Sequence, residues 1–215
     1  MDFNEKMEHM SKLSQKIKAK EPPMFTVSHK QAAITMAEVE KVIVNLIMEK
    51  TSLKVIFASL FYFWLTLEAP LRNISEQKID RWSMPLDEAI LKIISVIQST
   101  VNSLPDHEPT LEMKQLGENV NALKASIPDE QIDPLLLPDE LVKQATNVNT
   151  RIHTITSNFL SQSFHPEIIS NVLFGYWMRI STLHAYVSEE YYQKMEFYFS
   201  EIIDAARKQV PILFQ

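Results

Sequence analysis

Gly117 and Gly175 are the only glycines among the 215 residues of this chain. Tight β-hairpins draw on glycine at positive φ, so a sheet of ordinary design is hard to build from such a sequence. Helices need no such residue, and eleven prolines are available to punctuate them. The fold class expected is all-α. With 46% hydrophobic residues, the chain has ample material for the core of one domain or two small ones.

The bundle is expected to form around the stretch from Val55 to Leu67, thirteen residues without a charge and eleven of them apolar. They fall on every side of a helix rather than on one stripe. A helix of that length covers roughly 20 Å, short of the ~30 Å of a bilayer core, so it reads as a buried central helix of a soluble protein. A weaker echo follows between Ile168 and Met178. The opening residues mix charges of both signs without an apolar run of leader length, which points to a cytoplasmic protein with no membrane segment.

Residues 1–23 read as an N-terminal amphipathic helix or arm, with Phe3, Met7, Met10 and Ile17 on one face. Residues 24–104 follow as a first helical repeat. It holds a helix from about Ser28 to Lys50, the apolar helix closed by Pro70, a short turn near Ser75–Arg81, and a helix opened by Ser83-Met84-Pro85. Residues 105–137 form a connector, and 138–215 a second repeat with helices at about 138–163, 166–187 and 188–211. Between Pro105 and Glu140 lie nine acids, two lysines and five of the prolines, a local charge of −7 in a chain of net −6.

The repeat assignment rests on an offset of 113 residues. Without a gap, Lys30-Gln31-Ala32 falls on Lys143-Gln144-Ala145, Asn45 on Asn158, Leu60-Phe61 on Leu173-Phe174 and Trp64 on Trp177. Twelve of the 68 pairs from residue 30 to 97 are identical, against about four for average composition. The architecture expected is two tandem three-helix repeats packed about a pseudo-two-fold axis, joined by an acidic, proline-rich helical connector.

Chemistry leaves little trace. No glycine-rich phosphate loop, nucleophile elbow or thiol is available, and the paired Glu-x-x-His motifs of di-iron bundles are absent. His9, His29, His107 and His165 sit near helix ends or loops and read as solvated. His153 and His184 lie inside helices without a ligand-type residue three or four positions away. No metal, cofactor or catalytic role is expected. The net charge of −6 argues against nucleic acid as a partner.

Two groups of residues remain. Met113, Leu116, Val120, Leu123 and Ile127 recur in 3-4-3-4 steps with polar flanks, a narrow seam suited to one neighbour. That neighbour is either the helix ending at Leu104 or a second chain, most economically another copy in a homodimer. Tyr62, Trp64, Tyr176 and Trp177, with Arg179 interrupting the second apolar helix, mark either ordinary core or a pocket for a small apolar ligand. The function expected is non-enzymatic, through protein–protein interaction; the alternative is a small-molecule-binding bundle with an aromatic pocket between the repeats.

Overall fold

The computed structural model describes residues 3–18, 25–71, 86–127, 138–184 and 188–209. Within them every regular element is an α-helix: α1 (Phe3–Lys18), α2 (Phe25–Met48), α3 (Leu53–Leu71), α4 (Leu86–Ser103), α5 (Leu111–Ser126), α6 (Pro138–Ser161), α7 (Pro166–His184), α8 (Glu189–Phe197) and α9 (Phe199–Gln209). The expected turn near Ser75–Arg81 and the opening at Ser83–Pro85 lie outside the described residues. Where one last helix was expected, the chain breaks at Tyr198 (φ −102°, ψ 32°), which caps α8 with its N–H on the Lys194 carbonyl.

α3 holds the uncharged stretch within 19 residues and ends one residue past Pro70, the expected stop. At 1.5 Å per residue that is about 28 Å, long enough in length and composition to cross a bilayer. Thirteen of the nineteen side chains are nevertheless buried on all sides by the protein.

α2 and α6 both end in the same motif. Lys50 (φ 58°) and Ser163 (φ 63°) take the left-handed conformation that reverses the chain. Lys50 N–H donates to the Ile47 carbonyl and Thr51 N–H to that of Leu46. Ser163 and Phe164 repeat the pattern onto Leu160 and Phe159. The Phe159 and Phe164 rings stack 5.0 Å apart, the apolar contact that accompanies such a stop. α6 starts and ends 113 positions after α2, and α7 does the same after α3.

The chain divides into two compact units, each drawn from two stretches of sequence. The first holds residues 1–75 and 129–180, hence α1, α2, α3, α6 and most of α7. In it α3 packs on α1, α2 and α6, while α6 also carries α1 and α2. Val39, Ile43 and Leu46 of α2, Val148 and Ile152 of α6, and Ile56, Leu60 and Trp64 of α3 are at most 4% exposed. Burying a side chain of this size contributes roughly 1.5–3 kcal/mol. Polar groups are paired within this core: Thr35 bonds the Gln31 carbonyl, and Ser170 donates to the fully buried Glu68 at 2.6 Å.

The second unit holds residues 76–128 and 181–215, hence α4, α5, α8 and α9. α4 packs on α9, and α5 on α8. Ile93, Ile97 and Val101 of α4 and Tyr192, Met195, Ile202 and Ala206 of α8 and α9 form its interior. The 104–110 loop is pinned by Asp106 on Lys194 at 3.1 Å and by the His107 ring stacked 4.1 Å over Phe197. The solvated imidazole expected at His107 is not found: both ring nitrogens are buried without a hydrogen-bond partner.

Candidate functional site

The aromatic residues of α3 and α7 come together. Phe61 lies 5.5 Å from Trp64 and 5.8 Å from Trp177, and Phe174 lies 4.7 Å and 5.4 Å from the same two rings. Phe57 stacks on Trp177 at 5.4 Å. Both tryptophans are 0% exposed, so the two phenylalanines occupy the space beside them that a ligand would need.

At the edge of this cluster the Tyr176 hydroxyl sits 3.2 Å from both the Met36 carbonyl and a Glu40 carboxylate oxygen, two acceptors for its single hydrogen. The Arg179 guanidinium lies 5.1 Å over the Tyr176 ring, a cation–π contact. Tyr62 is half-buried with its ring edge toward Phe61, and burial raises its pKa. These residues tie α7 to α2 within the first unit; their geometry is that of packing.

Within the chain α5 packs on α8, with Gly117 turned toward that helix. A Cβ at Gly117 would stand 2.5 Å from Glu189 Cγ and 2.8 Å from Gln193 Nε2. Beside it the Glu189 carboxylate accepts from Asn121 at 3.0 Å and from Gln193 at 2.7 Å. At 3.6 residues per turn the stripe is rotated about 80° from Gly117. Ile127 is accordingly buried, Met113 and Val120 are half-buried, and Leu116 is 39% exposed. The Leu123 side chain lies outside the described residues.

α1 seats on α6 through polar contacts. Lys6 Nζ donates to Thr150 Oγ1 at 2.7 Å, and His9 Nδ1 lies 3.2 Å from His153 Nε2, so one imidazole donates to the other. Lys6 is only 8% exposed. His153 has its pKa lowered by burial first, then by the charges of His9, Lys6 and the amino terminus. Among the described residues no group of three or more His, Cys, Asp or Glu could hold a metal ion.

The outward face of α2 went unread in the sequence. Its inward stripe, Thr35, Val39, Ile43 and Leu46, is buried. A second stripe, Ile34, Ala37, Lys41, Val44 and Met48, is exposed, with Ile34 at 40%, Val44 at 49% and Met48 at 78%. Its 3-4-3-4 spacing was available as a signal, but the inward stripe accounts for the helix by itself and drew the periodicity argument.

No known protein family, no curated protein and no solved structure matches this chain.

Proposed function

We propose that this protein works by binding another protein chain and has no catalytic role. The observation that carries the reading is the exposed stripe on α2. Ile34, Ala37, Val44 and Met48 lie exposed on either side of Lys41 along one line of the helix, and a 3-4-3-4 stripe is the form in which one helix receives another. The seam on α5 offers less, because α8 already covers part of α5. The alternative, a pocket for a small apolar ligand, lacks a comparable observation, since Phe61 and Phe174 fill the space beside the two tryptophans.

We also read the chain as a tandem duplication, two three-helix repeats related by a pseudo-two-fold axis, acting in the cytoplasm. In support, α2 and α6 and α3 and α7 share their bounds at an offset of 113, and left-handed residues stand at Lys50 and Ser163. α4 and α9, which begin 113 positions apart, pack on each other. Gln31 and Gln144, themselves equivalent, make equivalent hydrogen bonds in opposite directions.

The binding reading is tested by comparing the full chain with its Ile34→Glu/Val44→Glu variant as bait in extracts of the native host. Loss of a specific captured protein, or of captured copies of the chain itself, is the expected result. Identical capture by both would remove α2 as the binding surface.

A further inference from the structure

The stripe on α2 invites comparison with the helix 113 positions later. At the equivalent positions α6 has Asn147, Thr150, Thr154, Ser157 and Ser161, every one polar and uncharged, four of them exposed and Ser157 half-buried. On α6 this face is polar and borders α1, which reaches it through Lys6 on Thr150. α2 departs from it at four of five positions toward Ile, Ala, Val and Met. The departure is periodic and runs in one direction on the outward side, whereas the buried inward positions differ both ways, Ile43 against Thr156 and Thr35 against Val148.

The stripe is also complementary to itself. Two copies of α2 laid antiparallel, with the two-fold axis at the level of residue 39, place Ile34 against Val44 of the other copy and Ala37 against Lys41. The small Ala37 leaves room for the long Lys41 stem, whose methylenes lie along apolar surface while the ammonium reaches outward. Glu38 flanks the stripe on the same side as Lys41. In this register the ammonium of each Lys41 comes beside Glu38 of the other copy, while Glu40, on the opposite flank, is turned to the Tyr176 hydroxyl. Sliding one helix by a heptad breaks both the size match and the charge match. The flanking charges Glu38 and Lys41 are exposed in the single chain.

We propose that α2 pairs antiparallel with α2 of a second copy of this chain through Ile34, Ala37, Lys41, Val44 and Met48, in an isologous homodimer. This rests on the reading of α2 as a binding surface and names its occupant.

The test is sedimentation of the full chain and its charge variants. The wild type should be a dimer. Lys41→Glu sets acid against acid at both of these pairs and Glu38→Lys sets base against base, so each variant alone should dimerise about tenfold or more weakly. An equimolar mixture of the two should recover a dimer, and it should be the mixed species. Circular dichroism should show unchanged helicity in both, because the substituted positions face water. A wild-type monomer, or a dimer indifferent to both substitutions, overturns the pairing. The binding reading fails separately, only if Ile34→Glu/Val44→Glu also leaves capture of other proteins unchanged.

Discussion

Gln31 and Gln144 each guard the start of a helix that follows the other. The Gln144 side-chain oxygen accepts the Ser52 N–H at 3.0 Å, at the entrance to α3, and the Gln31 oxygen accepts the His165 N–H at 3.1 Å, at the entrance to α7. Those N–H groups precede the first turn and have no partner inside their own helix. A capping box satisfies the same group from within a helix; here a neighbouring helix supplies the amide. Gln31→Ala and Gln144→Ala should each cost about 1–2 kcal/mol, the range for stranding a part-buried donor. Urea denaturation should give nearly equal losses for the two. A large inequality would mean that only one of these contacts matters in solution.

Lys50 and Ser163 hold left-handed backbone that a side chain disfavours by roughly 1–2 kcal/mol. Glycine relieves that strain but loses more entropy on folding, by roughly 0.5–1 kcal/mol. Lys50→Gly and Ser163→Gly should therefore each stabilise the protein by up to about 1 kcal/mol. Thermal melts of the two variants check this, and a lowered melting temperature would contradict it.

Trp64 is fully buried against Phe61 and Phe174, and its indole N–H lacks a hydrogen-bond partner. Trp64→Ala should cost roughly 3–5 kcal/mol, a large share of the ~5–15 kcal/mol that keeps a domain folded. Trp64→Phe should cost clearly less, because the group it deletes was unsatisfied. Chemical denaturation showing equal losses would place the indole nitrogen in contact with a partner.

Gly117 lies against Glu189 and Gln193 of α8. Alanine gains up to about 1 kcal/mol of helix propensity there but forces Glu189 and Gln193 aside, an overpacking cost of about 1–3 kcal/mol. Gly117→Ala should be destabilising on balance. In a Glu189→Ala background, where the nearest obstructing carbon is gone, the same change should cost little or turn favourable. A double-mutant cycle measures the difference.

His153 ties stability to acidity. Its pKa is lowered from 6.5, mainly by burial and then by His9 and Lys6, so the unfolded chain takes up the proton more readily. The stability that this contributes is present above about 6.5, the unfolded value, and is lost as pH falls below it toward the lowered folded value. Denaturation midpoints at about pH 7.5 and pH 5.5 should therefore diverge more for the wild type than for His153→Gln. An unchanged difference would remove His153 from the pH response.

The helical class was legible because glycine scarcity and helical periodicity act locally. The bounds of α2 and α6 and the start of α7 came within three residues of expectation, since caps and breakers such as Pro166 work at short range; the expected end of α7 near Val187 lies outside the described residues. The central aromatic cluster was legible too, because no one-sided helix could hold Phe61, Phe63 and Trp64. The partner of α5 was not. Which helix meets Gly117 depends on two stretches 72 residues apart, from Gly117 to Glu189, and no local pattern reports that. The enclosed His107 ring was missed for the same reason: its surroundings come from a distant segment. The outward stripe of α2 was in plain view, but one apolar face sufficed to explain the helix.

Because the first unit takes residues 129–180 as well as 1–75, its assembly has to wait on the order of synthesis. α3, apolar on every side, leaves the ribosome well before α6 and α7 exist to cover it. Emergence of those roughly 100 residues takes about 5–20 s at ordinary elongation rates. Throughout that interval Phe61, Phe63 and Trp64 have only the earlier part of the chain for shelter. A nascent chain stalled in the acidic connector carries its most aggregation-prone helix half-wrapped, and chaperone engagement during translation should peak there and fall once Leu173 and Trp177 emerge.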